Sequence, residues 1–403
     1  MTNMIIPKPL ILSVYLPAFI MSLGRGMLIP VLPLYAKSFD VSYSYVGLVL
    51  AADGIGTILG DVPAGLLIRR LGRKTVMVLG VGCVAGSLVA LFSAQTILEA
   101  AGYRLLAGIG NALWNISRLA YLADSTTPFQ RGRSIALFGG VSRIGTFAGP
   151  AIGGIVGAHF SLRAPFLFYA GLAAATIVTS ILFVEKSESD VKGSLANKAE
   201  SHLINVLKTH YRVLSSAGMG QMMAQMVRNG RHIIVPLYAA DILGLDVQSV
   251  GWIVSIASFV DMSLFYPAGL VMDRYGRKYT SVPSFAVQAL GMAMIPLSGG
   301  FIGLMLASSL IGFGNGIGSG AMMTLGTDLA PKESTAEFLG VWRLIGDGGH
   351  MGGPLAVGNI ADLFGLNSAT FMIAGTGVLA SAIFAFLVPE TLQKPPSGES
   401  NSN

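Results

Sequence analysis

The chain has 403 residues, of which 53% are hydrophobic and only 11% charged, with a net charge of +6 and a mean hydropathy of +0.67. Soluble domains carry about 25% charged side chains, so the composition excludes a soluble globular protein and predicts an all-α integral membrane one. A basic balance suggests nucleic acid in a soluble chain, but in a membrane chain it reports topology, and no nucleic-acid partner is expected.

Apolar runs near 20 residues recur at about 11–33, 46–66, 75–95, 99–122, 134–158, 165–184, 216–238, 249–270, 280–299, 301–324, 336–360 and 368–388. Each can cross a hydrocarbon core roughly 30 Å thick as a helix, so twelve transmembrane helices are predicted. The first span follows a lone Lys8, lacks a small-residue cleavage signal and carries Arg25, so it is expected to be retained. With the amino terminus inside, 17 of the 26 Lys and Arg fall in cytoplasmic segments, two (Lys37 and Arg163) outside and seven within spans. Both termini are therefore expected on the cytoplasmic side of a cell membrane. Residues 185–215, rich in Lys, Glu, Ser and Asp, are predicted to link a six-helix half at 1–184 to another at 216–390, with a short tail at 391–403.

The stretch GLLIRRLGRK, Gly65 to Lys74, follows the second span and returns after the eighth as GLVMDRYGRK, Gly269 to Lys278. A shift of 204 also carries Gly47 onto Gly251, Pro63-Ala64-Gly65-Leu66 onto Pro267-Ala268-Gly269-Leu270, and Gly108, Gly110 and Asn111 onto Gly312, Gly314 and Asn315. Gly145, Gly149, Pro150 and Gly154 fall on Gly349, Gly353, Pro354 and Gly358. One offset serving four helices identifies a duplicated unit. Parallel six-helix repeats bind substrate near the bilayer midplane and alternate access by rocking, so the repeat predicts a transporter. Within the decapeptides, glycine permits a tight turn while Arg and Lys hold it at an anionic membrane face.

Gly65-x6-Gly72-Arg73-Lys74 and Gly269-x3-Asp273-Arg274-x-Gly276-Arg277-Lys278 resemble the signature loop of the major facilitator superfamily. Leu23-Gly24-x5-Pro30-x2-Pro33, Arg104-x3-Gly108-x-Gly110-x-Ala112 and Gly145-x3-Gly149-Pro150-x2-Gly153-Gly154 resemble its drug:proton antiporter branch. The resemblance implies two pseudo-symmetric six-helix bundles, and its fifth-helix pattern implies export rather than uptake. In that family the loop's fifth position is usually an acid that latches one conformational state. Here the first copy has Arg69 and the second keeps Asp273, so two readings stay open: the first latch is absent, or Asp61 replaces it.

Seven arginines (Arg25, Arg104, Arg118, Arg143, Arg228, Arg231 and Arg343) and four acids (Asp53, Asp61, Asp261 and Asp347) lie in the interior of the spans. A charge at mid-helix costs about 2.5 kcal/mol or more, so such residues face a cavity or a partner. Arg104, Gly108, Asn111, Asn115 and Arg118 form one stripe on the fourth span, and Ser308, Gly312, Asn315 and Ser319 one on the tenth. These stripes are expected either to line a common cavity or to tie helices together. On the seventh span Gln221, Gln225, Arg228 and His232 share a face among methionines; Arg228 matches Arg25 at a local shift of 203. Arg343, Asp347 and His350 share a face of the eleventh, where Arg343 and Asp347 have ion-pair spacing. A proton carrier needs a carboxylate partly withdrawn from water until an arginine or the opening cavity lowers its pKa again, which selects Asp53 first, then Asp261 and Asp347, with Arg104 a further proton-coupling candidate.

Cys83 stands alone, with neither disulfide nor metal-ligand partners in spacing, and no Gly-x4-Gly-Lys loop or paired catalytic set is present. A monomeric transporter in membrane lipid, neither an enzyme nor dependent on a cofactor, metal or ATP, is therefore expected. Its expected activity is proton-coupled efflux of a small organic or amphiphilic compound. Proton symport or uniport of a metabolite, sugar or anion, and movement of lipid or lysolipid, are the alternatives. The resemblance implies cationic compounds, whereas the excess of arginine favours an anion or zwitterion.

Overall fold

The computed structural model describes residues 10–124, 128–185, 209–332 and 334–392. Most of the predicted linker (186–208) and tail (393–403) lies outside the described residues. Among the described residues the regular structure is helical throughout. A π turn, Ile11–Tyr15, leads into α1 (Leu16–Lys37), followed by α2 (Tyr43–Leu71), α3 (Arg73–Ser93), α4 (Ile97–Asp124), α5 (Pro128–His159) and α6 (Ala164–Phe183). The C-terminal half holds α7 (Tyr211–Leu237), α8 (Val247–Tyr275), α9 (Lys278–Met294), α10 (Phe301–Ile317), α11 (Ala321–Leu329) and α12 (Thr335–Phe386). The predicted tenth span is shared by α10 and α11, which part around Gly320 (φ 80°). The eleventh and twelfth run together as α12, turned at Gly365 (φ 85°).

Among the described residues eight stretches are long and apolar enough to cross a membrane: Ile11–Lys37, Tyr43–Asp61, Arg73–Ser93, Ala164–Phe183, Val247–Tyr275, Lys278–Leu297, Phe301–Leu329 and Glu337–Phe386. The last of these contains two predicted spans. Of the other predicted spans, α4, α5 and α7 are absent from that set, and they carry much of the interior Arg, Asn and Gln.

Glycine fixes how closely the helices cross, and the crossings repeat. A Cβ at Gly108 of α4 would collide with the Asp53 carbonyl of α2, and one at Gly312 of α10 with the Ala257 carbonyl of α8. Likewise a Cβ at Gly149 would lie 2.5 Å from the Leu23 carbonyl oxygen, and one at Gly353 2.7 Å from that of Met226. Contacts between the two halves obey the same register. Gly154 of α5 meets Val247 and Gly251 of α8, as Gly358 of α12 meets Tyr43 and Ser44 of α2; Gly251 meets the Pro150 carbonyl, as Gly47 meets that of Pro354.

These contacts between halves lie toward the face opposite the decapeptides. There Asp362 of α12 accepts the backbone N–H groups of Tyr43 (2.7 Å) and Ser44 (2.9 Å), capping an α2 that has no side-chain cap of its own. The Tyr43 hydroxyl also donates to Asp241 at 2.9 Å.

On the decapeptide face, Gly72 (φ 79°) and Gly276 (φ 115°) turn α2 into α3 and α8 into α9 in the region that only glycine enters freely. Lys74 Nζ donates to the Ile181 carbonyl (2.7 Å), and its register mate Lys278 to that of Ala385 (2.8 Å). The second loop has a carboxylate anchor: Glu390 accepts the N–H groups of Arg277 and Lys278 at 2.9 and 3.0 Å, while Arg277 Nε pairs with Asp328 at 2.7 Å. Asp273 is exposed and makes no polar contact among the described residues.

Two predictions follow from these features. Gly108→Ala, set against a carbonyl, should lower the melting temperature in detergent by an amount reflecting roughly 1–3 kcal/mol of overpacking, whereas Gly102→Ala on the open side of the same helix should be neutral or stabilising. Burial pushes the Glu390 carboxyl up, but four backbone N–H donors outweigh it and hold it below the ordinary glutamate value of 4.5. The anchor is therefore fully present above that pH and lost as pH falls through the lowered value. After correction for intrinsic rates, amide exchange at Arg277 and Lys278 should quicken in that acid range, and at neutral pH only in Glu390→Gln.

Candidate functional site

Close crossing of α2 and α4 brings Asp53 against the polar stripe of α4. Its Oδ1 lies 3.3 Å from Arg104 Nη2 and accepts from Asn111 Nδ2 at 3.1 Å. Arg25 of α1 and His350 of α12 are near enough to act on the same charge, and Tyr169 of α6 hydrogen-bonds Arg25. The attraction between such charges is roughly 4 kcal/mol at an effective dielectric near 20. Desolvating both ions offsets much of it.

The C-terminal half repeats the amide and displaces the acid. Asn315, register mate of Asn111, donates Nδ2 to Asp261 at 2.7 Å, yet Asp261 corresponds to Thr57, one turn beyond Asp53. Backbone register is nevertheless preserved, as Gly108 over Asp53 and Gly312 over Ala257 demonstrate. The cation for Asp261 comes from the other half: Arg143 of α5 pairs with it at 3.2 Å and hydrogen-bonds Ser319. Asn111 and Asn315 both leave Oδ1 buried without a partner.

A third cluster lies nearer the decapeptide face. Arg343 of α12 bridges to Asp61 of α2 at 3.2 Å and to Asp347 on its own helix at 3.7 Å. Asp61, the possible replacement for the acid missing at position 69, thus pairs across the halves. Exposure rises in this direction, from 16% for the Asp53 side chain to 47% for that of Arg343.

A cavity of about 360 Å³ joins the first and third of these clusters, lined by Arg25, Asp53, Arg104, Asn111, Asn115, Arg343 and Asp347 from the sequence-selected set, whereas Asp261 and Arg143 do not line it. Thr57, Tyr169, Asn229, His232 and His350 line it too. Tyr169 carries no local signal: its ring is placed by Gly24, whose missing side chain leaves the space it fills. Thr57 was legible as the register mate of Asp261.

The other selected residues lie elsewhere. Arg118 faces an adjoining cavity with Asn115. Arg228 stacks 5.6 Å from the Phe285 ring centroid and donates to the Gly318 carbonyl at 3.4 Å. Gln225 lines neither cavity. The two stripes do not share a cavity: Asn315 is turned to Asp261, and Ser308 lines a separate space of about 30 Å³ with Arg231 and His232. Gly145, Gly149 and Pro150 set the crossing of α5 with α1 and α8, while Gly65, Arg69, Gly72, Arg73, Gly269, Asp273, Arg274, Gly276 and Arg277 sit at the loop face, remote from the cavity.

The family model described as Major Facilitator Superfamily matches residues 14–226 and 217–402. An uncharacterised transporter of that superfamily from Methanocaldococcus jannaschii is 23% identical, covering 88% of this chain and 91% of its own. Multidrug resistance protein 2 of Bacillus subtilis is 25% identical over 73% of this chain and 74% of its own, and the quinolone resistance protein NorA of Staphylococcus aureus 24% identical over 57% and 58%. Among solved structures, a nucleoside transporter superposes with a TM-score of 0.80 at 14% identity, covering 94% of this chain and all of that one. A D-xylose–proton symporter gives 0.73 at 18%, covering 95% and 98%. At such identities the structural likeness is one of fold.

The Asp53–Arg104 pair is buried enough to be strongly coupled, whereas Asp61–Arg343 is screened by water. A double-mutant cycle on detergent melting with Asp53→Asn and Arg104→Gln should give a coupling energy of about 1–3 kcal/mol. The cycle with Asp61→Asn and Arg343→Gln should give less than about 1 kcal/mol.

Proposed function

The chain belongs to the major facilitator superfamily, and on that premise we propose that it exports a small organic or amphiphilic compound in exchange for protons. In this reading twelve helices cross the cell membrane as two six-helix bundles, residues 1–184 and 216–390. The linker and both termini are cytoplasmic, and the working unit is a monomer in membrane lipid.

One observation carries the proposal: a carboxylate, Asp53, is set in the wall of the central cavity between a guanidinium and an amide. Arg104 favours the charged form of Asp53, and withdrawal from water favours the neutral form. The Asn111 amide serves both, offering N–H to a carboxylate and, turned over, its unpartnered oxygen to a carboxylic acid. Movement of Arg104 away from Asp53, or entry of water, then changes proton occupancy with conformation. Asp261, held by Asn315 and Arg143, is the second candidate, and Asp347 the third.

Alternating access is supported by how the halves meet. The glycine crossings and the Asp362 cap close the face opposite the decapeptides, while exposure of the charged clusters increases toward the decapeptide face. The state is thus accessible from the side assigned to the cytoplasm. Export is favoured by the Gly145, Gly149 and Pro150 pattern and by the resistance proteins among the relatives. Symport of an anion into the cell is the second reading, since four interior arginines have no carboxylate partner among the described residues: Arg25, Arg118, Arg228 and Arg231.

The test uses inside-out vesicles with an acidified lumen and a dye reporting the gradient. Adding a carried compound should dissipate the gradient in a protein-dependent way, and Asp53→Asn should abolish this while leaving gradient-independent counterflow. Wild-type proton release by Asp53→Asn would remove Asp53 from the coupling role; acidification outside the vesicles on substrate addition is expected of antiport, and alkalinisation there of symport.

A further inference from the structure

The four arginines without carboxylate partners are not equivalent. Arg228 lies against Phe285 and Gly318, and Arg231 borders a space with room for about one water. Arg25 and Arg118, by contrast, both line a cavity of about 250 Å³ between α1, α4 and α5.

Among the described residues no carboxylate lines this cavity. Arg118 is only 8% exposed, and its Nε has no hydrogen-bond partner. Its Nη2 donates to Asn115 Oδ1 at 3.0 Å, and its guanidinium stands 4.1 Å from the Phe138 ring centroid and 5.4 Å from that of Trp114. Arg25 acts on the same charge across the space. The Ser142 hydroxyl is also buried and unpartnered there. Arg25, Asn111 and Asn115 line both this cavity and the central one, so the two adjoin.

Two guanidiniums facing one space that no described carboxylate lines repel each other and any cation entering it. An oxyanion relieves that repulsion and meets the forked donors of arginine with matching geometry. Trp114 and Phe138 offer flat apolar surface for the rest of the molecule. We propose that this cavity binds an amphiphilic organic anion, with Arg25 and Arg118 holding its oxyanion and Trp114 and Phe138 its apolar body. The anion is either a free aryl carboxylate or the phosphate of a single-chain lipid. That the bound anion is also carried rests on the transporter reading; that it binds does not.

The experiment titrates the purified full-length chain, in neutral detergent, with 4-phenylbutyrate and its amine counterpart 4-phenylbutylamine, and separately with lysophosphatidylglycerol and lysophosphatidylcholine. At least one of the two anionic probes should bind in preference to its non-anionic counterpart. Its affinity should fall roughly tenfold to a hundredfold in Arg118→Gln, the loss of one charge-assisted hydrogen bond. Arg25→Gln, altering a side chain exposed to the cavity, should weaken it similarly and serves if Arg118→Gln does not fold. Response to phenylbutyrate identifies a free anion as the source, and response to the lysolipid alone a headgroup. Tighter binding of the amine, equal anion binding by wild type and variants, or no anion binding overturns the inference. In proteoliposome counterflow, exchange of the amine for protons without anion binding would sink this inference and leave the exporter reading intact. Arginine-dependent anion binding without any flux would do the reverse.

Discussion

A charge inside a hydrocarbon slab has no water to screen it, and each one in this chain constrains the packing around it. The Asp53–Arg104 and Asp261–Arg143 pairs and the Arg343 cluster tie together five helices, α2, α4, α5, α8 and α12. Two of these contacts cross between the halves. Asp261–Arg143 is the more buried of the two, and separating a pair withdrawn from water is costly, so the halves cannot slide freely past one another there. They can move only where the charges exchange partners or meet water. In the proton-coupled reading proposed above, the same contacts couple ionisation to conformation.

Glycine supplies the complementary constraint. With helices crossing at backbone distance, α2 on α4 and α8 on α10 leave no slack for an altered register, so the duplicated backbone persists while side chains diverge. Moving an acid by one helical turn, from the position of Asp53 to that of Asp261, leaves the crossing untouched and redirects the carboxylate to a different cation. A duplicated scaffold thereby holds two unlike ionisable centres.

Much of this was legible in the sequence because it is periodic. The 204-residue shift predicted which glycines occupy equivalent crossings, and helical spacing alone joined Arg343 to Asp347. Arg104, Asn111 and Asn115 were grouped because they share one stripe, and Asp53 was selected for its depth alone; the crossing of α2 with α4 is what joins them. What periodicity cannot supply is the relation between the halves. Arg143 with Asp261, and Asp61 with Arg343, depend on how N-terminal helices pack against C-terminal ones, which no local spacing encodes. The same ignorance underlies the expectation that the fourth and tenth stripes face one cavity: Asn315 and Ser308 have the right period but are taken up within their own half.

The cap of α2 has a further implication. The helix bearing Asp53 begins without a side-chain cap of its own and borrows Asp362 from α12. Opening that face would withdraw the loan and expose the first-turn N–H groups, at about 1 kcal/mol for a lost cap. Fraying at one end of α2 and gating of the whole molecule are then a single equilibrium, so the length of an intact helix becomes a state variable of the transport cycle.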